Sequence, residues 1–347
     1  MTNLTAIVIA RNEEARIGAC LDACLRAIDR SRTEGLIQKG DVILVDSAST
    51  DRTVEIARRF PVSIVHLPPD WPLSAAAGRF VGLRHARGDL VLFVDGDYVL
   101  FPEWLAPAIR TLQSDPAVAA VCGKDLEEAT GDSLLMRYEK ALVESLRGEP
   151  AAVPVGLYRR RALESVGGIH PFLRGAEDRD VAYRLRDAGL HLVRIDEDMG
   201  VHGWADRGAL DFITYFRSVL AWSIGDGQVY RIRRGVRNLV ADTRRRYLTV
   251  RHLVNYLLGL GLLALVLVNL SGLVIGPWVP LAADAFALAA FLGTGWAKSW
   301  GPRETVFRLH VFPYSLIRHA GFLAGFLHPP PEPSRYPKGE RVVRVGQ

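Results

Sequence analysis

The run Leu90-Val91-Leu92-Phe93-Val94 ends abruptly in Asp95-Gly96-Asp97. An apolar stretch of this kind reads as a strand buried on both faces, the usual case in a parallel sheet. Open α/β sheets place their ligand crevice at the C-terminal edge of such strands. Two carboxylates one residue apart are costly there unless a cation neutralises them, and a hard divalent ion carrying a phosphate meets that need. A strand followed by an acidic Asp-Gly turn is the plainer alternative.

Up to about residue 225, short apolar runs alternate with charged helical stretches. Thr5–Ala10, Asp41–Asp46, Val62–His66 and Leu90–Val94 read as strands, and Glu14–Arg30 and Thr53–Phe60 as helices, the second entered through Ser49 or Thr50 as cap. That alternation implies βαβ units and a mainly parallel sheet in an α/β domain. Cys20 and Cys24 share a helical face with Ile17, Leu21 and Ile28, so they read as packed thiols; with Cys122 they are the only cysteines, and a reducing cytosol fits. Thr5–Ala10 is too short for the hydrophobic region of a secretory signal and is followed at once by charge.

The C-terminal part differs in kind. Leu253–Ile275 carries no charged residue and is long enough to cross a ~30 Å hydrocarbon core. A buried helix of a large soluble protein is the other reading. Val279–Trp296, with Asp284, is expected to return across the bilayer, Pro277 and Pro280 shaping the turn. The block Arg231, Arg233, Arg234, Arg237, Arg244, Arg245, Arg246 and Arg251 precedes these segments; basic residues there mark the cytoplasmic side and attract anionic lipid. The net charge of +5 is mostly this membrane signal, and no recognised nucleic-acid motif accompanies it, so no nucleic-acid partner is expected. Thr305–Leu327 reads as an interfacial amphipathic helix, with a third span as the alternative. The Pro-rich tail from Pro329, with Lys338, Arg341 and Arg344, reads as extended. The expected divisions are therefore a catalytic domain over 1–225, a basic juxtamembrane linker over 226–252, a membrane region over 253–328 and a tail over 329–347.

Other strand ends are polar where the crevice should lie: Ala10-Arg11-Asn12-Glu13-Glu14 after the first, Asp46-Ser47-Ala48-Ser49-Thr50-Asp51 after the second. Each alone could be a turn and helix cap. Together with Asp95 and Asp97 they describe an anion- and metal-handling pocket. Much later, the loop Gly167–Ala176 runs into Glu177-Asp178-Arg179-Asp180, a helix opening with acids; complementing the helix dipole is the alternative role for Glu177 and Asp178.

These motifs, in this order and with Ala86-Arg87-Gly88-Asp89 leading into the fourth strand, resemble those of a family 2 inverting glycosyltransferase of the membrane-anchored bacterial type, over roughly residues 4–205. The resemblance implies the GT-A nucleotide-sugar-binding fold, followed here by C-terminal transmembrane and amphipathic helices. It implies that Asp46 contacts the nucleotide base, that Asp95 lies near the ribose and metal, that Asp97 ligates the metal, and that Asp178, beside Glu177, is the general base. Ala10, Arg11, Glu13, Ser49, Arg79 and Gly156 complete the implied donor site, Arg79 as a phosphate contact with Arg87 as alternative. His202 is an implied third ligand to Mn²⁺ or Mg²⁺, or else a loop-packing histidine.

The chemistry suits these roles. Negative charge grows on the β-phosphate oxygen as a nucleoside diphosphate departs, and a divalent ion stabilises it. Uracil offers an N3–H donor to a carboxylate such as Asp46, with guanosine and thymidine as alternative bases. A general base on the acceptor hydroxyl is worth about 10²–10⁴ in rate. The expected partners are a nucleotide-sugar, a lipid-linked or saccharide acceptor and membrane lipids, with the protein in the inner membrane, multi-pass, and its catalytic domain cytoplasmic. Two departures stand out: Gly78-Arg79-Phe80 replaces the Ala-Arg-Asn of many relatives, and Gln228-Val229-Tyr230-Arg231-Ile232 matches the Gln-x-x-Arg-Trp of processive synthases only in part. Single-sugar transfer is favoured over processive synthesis. A sugar nucleotidyltransferase and a non-catalytic scaffold are the other readings.

Overall fold

The computed structural model describes residues 2–127, 150, 152–202, 212–233, 317 and 320–344. Its first half is built from β1 (Asn3–Ala10), α1 (Ile17–Thr33), β2 (Lys39–Asp46), α2 (Thr53–Ala57), β3 (Ser63–His66), α3 (Ala75–His85) and β4 (Leu90–Asp95). β1, β2 and β4 are buried through most of their length because helices cover both of their faces, which is why their sequences run apolar rather than alternating. β5 (Tyr98–Leu100), α4 (Leu105–Ser114), β6 (Val118–Glu127), β7 (Gly156–Arg159), α5 (Arg160–Ser165), α6 (Glu177–Asp187), β8 (His191–His202), α7 (Phe212–Arg233) and β9 (Arg341–Arg344) follow.

Among the described residues the strands form one sheet in the order β5-β8-β6-β7-β4-β1-β2-β3-β9. The expected parallel core is present: β4, β1, β2 and β3 all run the same way. The sheet as a whole is mixed, not mainly parallel. β7 runs antiparallel between β4 and β6, β5 antiparallel to β8, and β9 antiparallel to β3. No βαβ crossover feeds these strands, so nothing forces them parallel.

α3 carries no apolar stripe at helical spacing. It packs through small residues: a Cβ on Gly82 would strike Ile7 and Val45, and one on Gly78 would meet Ile9 at 2.9 Å. The helix therefore lies very close to β1 and β2. Ser74 caps it, its hydroxyl accepting from the Ala77 amide at 3.1 Å. α2 starts after Arg52 with neither Ser49 nor Thr50 as cap; Asp51, one residue earlier, accepts from the amide and hydroxyl of Thr53 at 3.0 and 2.5 Å. Ser49 and Thr50 instead bind Asn12.

α7 runs through the expected boundary at residue 225 as one helix. Leu253–Ile275, Val279–Trp296 and the arginines from Arg234 to Arg251 lie outside the described residues. Among the described residues no helix is long and apolar enough to cross a membrane. Residues 320–327 of the expected amphipathic segment are helical. Gly321 and Gly325 bring this helix against α7, while Leu323 and Leu327 remain more than half exposed. The tail does not stay apart: it supplies β9.

Candidate active site

The strand register sets the site. Ala10 pairs with Asp46, and Ile9 with Asp95, so β1, β2 and β4 end level with one another. Over their tips lies a cleft of ≈ 350 Å³ whose lining includes Ala10, Arg11, Glu13, Ser47, Ser74, Asp95, Asp97 and His202. Gly96 lets the two aspartates stand this close to β1: its amide donates to Ile9 O at 2.8 Å, and a Cβ there would come within 2.8 Å of Ala10 Cβ.

The loops after β1 and β2 are locked together. Asn12 is left-handed (φ 58°); its amide donates to Ser49 Oγ at 2.9 Å and its side-chain oxygen accepts from the Thr50 amide at 2.8 Å. The Glu13 amide donates to Thr53 Oγ1 at 2.7 Å. Ala48 (φ 55°) is also left-handed, as is Ala176 (φ 60°), the residue before Glu177. Asn12 and Ala48 thus stand beside residues that line the cleft, where backbone strain of order 1–3 kcal/mol per residue is characteristically retained. Asp46, buried at the β2 tip, accepts from the Ser49 amide at 3.3 and 3.4 Å and lies 3.3 Å from His66 Nδ1.

Arg79 occupies a place the sequence does not reveal. Its guanidinium is buried and donates to Asp95 Oδ1 at 2.6 Å and to Glu177 Oε1. Burial works against its charge, but Asp95, Glu177 and Asp178 outweigh that and hold it protonated. Arg79 faces these carboxylates, not the cleft. Burial pushes the Glu177 carboxyl above its usual range, with Arg79 pulling the other way. Through this one side chain, the acids after β4 and the acids opening α6 become neighbours although more than 80 residues separate them in sequence. Asp178 is half-buried in the first turn of α6, its carboxylate accepting from the Arg179 amide at 2.8 Å.

His202 ends β8 with Nε2 3.3 Å from Asp97 Oδ1. Burial opposes its protonation, yet the Asp97 carboxylate raises it above the ordinary value. The ring packs edge-on against Tyr98, whose hydroxyl donates to Asp125 at 2.7 Å. Among the described residues no three such side chains cluster tightly enough to cage a metal. Asp97, Asp95 and His202 on one cleft wall nonetheless suit a cation shared with a substrate, since Mg²⁺-like ions characteristically take one or two carboxylates and complete their shell with phosphate and water. Gly156 lies within the sheet, opposite Phe93 on β4, where a Cβ would strike Val121 O. Gln228 accepts from the Arg174 amide at 3.2 Å on α7, which ties it into the fold.

The sequence reading passed over His66, Tyr98, Asp125 and Ser74. Only Ser74 had a readable signal, a capping serine ahead of Ala75-Ala76-Ala77.

Level acidic strand tips over one cleft in a half-parallel sheet define an α/β fold of the GT-A type. Residues 5–165 match the family described as Glycosyl transferase family 2, and across them the chain carries a domain of that family. Glycosyltransferase AglE of Haloferax volcanii is 28% identical over 209 residues, 57% of this chain and 66% of AglE. O-antigen chain rhamnosyltransferase WbaN of Salmonella anatum is 26% identical over 194 residues, 52% of this chain and 61% of WbaN. The chain thus spans less than two thirds of the length of either relative. The mannosyltransferase PcManGT from Pyrobaculum calidifontis, solved with GDP-Man and Mn²⁺, has a similar fold: TM-score 0.50 at 22% identity, covering 93% of this chain and 86% of that one.

Proposed function

We propose that this protein is a divalent-metal-dependent, inverting glycosyltransferase that moves one sugar from a nucleotide-sugar to a lipid-linked or saccharide acceptor at the cytoplasmic face of a membrane. One observation carries the reading: Arg79 bridges Asp95, which lines the cleft, to Glu177, so the acids opening α6 are held next to the acidic β4 tip. The family match over residues 5–165 supports it, and a saccharide acceptor accords with the name of WbaN.

Asp97, with His202 and Asp95 beside it, would hold the cation. When bound, that ion supplies Lewis-acid stabilisation of the departing diphosphate. Asp46 and the Ser49 loop accept and orient the base, its carboxylate suiting the N–H donor of uracil, with guanine as the alternative. Asp178 takes the proton of the acceptor hydroxyl as that oxygen attacks the anomeric carbon and the C1–O bond to the diphosphate breaks. Glu177, fixed by Arg79, keeps α6 in register with the cleft. Attack opposite the leaving group inverts the centre. The membrane placement rests on Leu253–Ile275, Val279–Trp296 and the arginine block ahead of them.

A thermal-shift panel of UDP-, GDP- and dTDP-sugars with Mn²⁺ tests the donor, because a bound ligand raises stability by mass action. One donor class should raise Tm. Asp178→Asn should then abolish turnover while leaving that shift in place. Full activity in this variant would remove Asp178 from the mechanism.

A further inference from the structure

The segment 333–344 lies against the catalytic domain at several points. β9 pairs with β3 so that Arg341 stands opposite His66, the residue whose ring meets Asp46. Glu340, nearly buried, approaches His85 Nε2 at 2.9 Å and Arg84 at 3.5 Å, at the C-terminal end of α3. Tyr336 is buried among three rings, each edge-on: Trp71 of the loop before α3 at 5.7 Å, Phe80 of α3 at 5.4 Å and Phe172 of the loop before α6 at 5.5 Å. Its hydroxyl donates to Pro72 O at 3.1 Å.

Of these two loops, the first forms a wall of the cleft, and the second precedes the acids that open α6. Residues 71–74 lead into Leu73, Ser74 and Ala75, which line the cleft, and Ser74 caps α3, the helix that carries Arg79. The loop of Phe172 leads into Glu177 and Asp178. The loops also meet directly, Ser74 Oγ donating to Pro171 O at 3.4 Å. Tyr336 fills the space between them with a rigid aromatic body, which orders surrounding side chains at little entropic cost of its own.

We propose that Tyr336 is a positioning residue for the donor site, and that segment 333–344 is an intramolecular strap holding the 71–74 and 170–174 loops in the geometry that receives the nucleotide. The strap rests on the donor-cleft reading above. It follows, a few residues on, the helix at 320–327 that packs on α7.

The test uses the full chain in detergent micelles, with Tyr336→Ala, Tyr336→Phe and a stop codon after Pro331. Hydrogen exchange reports loop order, and calorimetric titration with UDP and with GDP, each with Mn²⁺, reports affinity. In Tyr336→Ala and in the truncation, exchange should rise at 67–75 and 170–174 but not in β1, β2 or β4, and the affinity for whichever nucleotide binds should fall about tenfold. Tyr336→Phe, which keeps the ring contacts, should stay near wild type on both measures. Unchanged loop exchange in Tyr336→Ala would overturn the strap; looser loops with undiminished nucleotide affinity would overturn its role at the donor site. If the wild-type protein bound neither nucleotide, the donor reading would fail, and the strap would still stand or fall on exchange.

Discussion

A single guanidinium between the buried Glu177 and the partly exposed Asp95 makes Arg79 the residue on which the geometry turns. Removing one partner of a buried ionic cluster leaves charge without compensation, which typically costs about 3–5 kcal/mol. Arg79→Met should lose stability on that scale in urea unfolding. The sign of its pH dependence follows from Glu177. A carboxyl held above its ordinary value of 4.5 destabilises the fold as pH rises past that value, and without Arg79 the upward push grows. The deficit of Arg79→Met should therefore be largest at neutral pH and shrink as pH falls below about 4.5; a pH-independent deficit would point to lost packing instead. The acids themselves were readable, because Asp95, Asp97, Glu177 and Asp178 sit in recognisable motifs. Their common partner was not: Arg79 reads in sequence as a phosphate contact, with Arg87 as the alternative, and only its burial beside Asp95 and Glu177 shows it turned inward.

Among the elements, α7 bears most directly on α6. Gly225 lies against the backbone of Gly175, with no room for a side chain, Arg179 pairs with Asp226, and Arg233 reaches Asp180 at 3.4 Å and Asp187 at 2.8 Å. Overpacking such a contact costs about 1–3 kcal/mol. Gly225→Val should therefore lower Tm by several degrees. It should also reduce kcat more than donor affinity, since the displaced loop leads straight into Glu177 and Asp178 while Asp46 lies elsewhere. Equal loss of both would mean that the whole domain had loosened. The strands of the parallel core were legible to within about two residues, because two-sided burial writes a continuous apolar run. α3 was not, because a helix that packs through Ala and Gly leaves no apolar stripe. The antiparallel β5, β7 and β9 are short, and β9 finds its partner some 275 residues upstream, a pairing no local pattern encodes.

For the molecule as a whole, the tail and the catalytic domain share one sheet and one core. Burial tends to push the Glu340 carboxyl up, but backbone amides, His85 and Arg84 outweigh it and hold it below 4.5. A carboxylate depressed in the folded state contributes stability above its unfolded value, and that contribution is lost as pH falls through the folded one. Glu340→Gln should thus lower stability by about 1 kcal/mol at pH 7, the partial exposure of Arg84 and His85 keeping it small. That difference should vanish in acid. A difference growing in acid would contradict the pairing. Domain limits drawn from composition placed the tail apart because its prolines and charges carry no sign of a binding partner; Tyr336 is one aromatic residue among them. The central claim is that acids from β4 and α6 meet over one cation-bearing cleft, and the most direct measurement is anomalous diffraction from crystals soaked with Mn²⁺ and the nucleotide that the thermal-shift panel selects. The account predicts a single manganese peak within coordination distance of the Asp97 carboxylate, with the diphosphate between it and the β1 tip and Asp178 facing the open side. Manganese bound away from Asp97, or a nucleotide lodged outside this cleft, would contradict it.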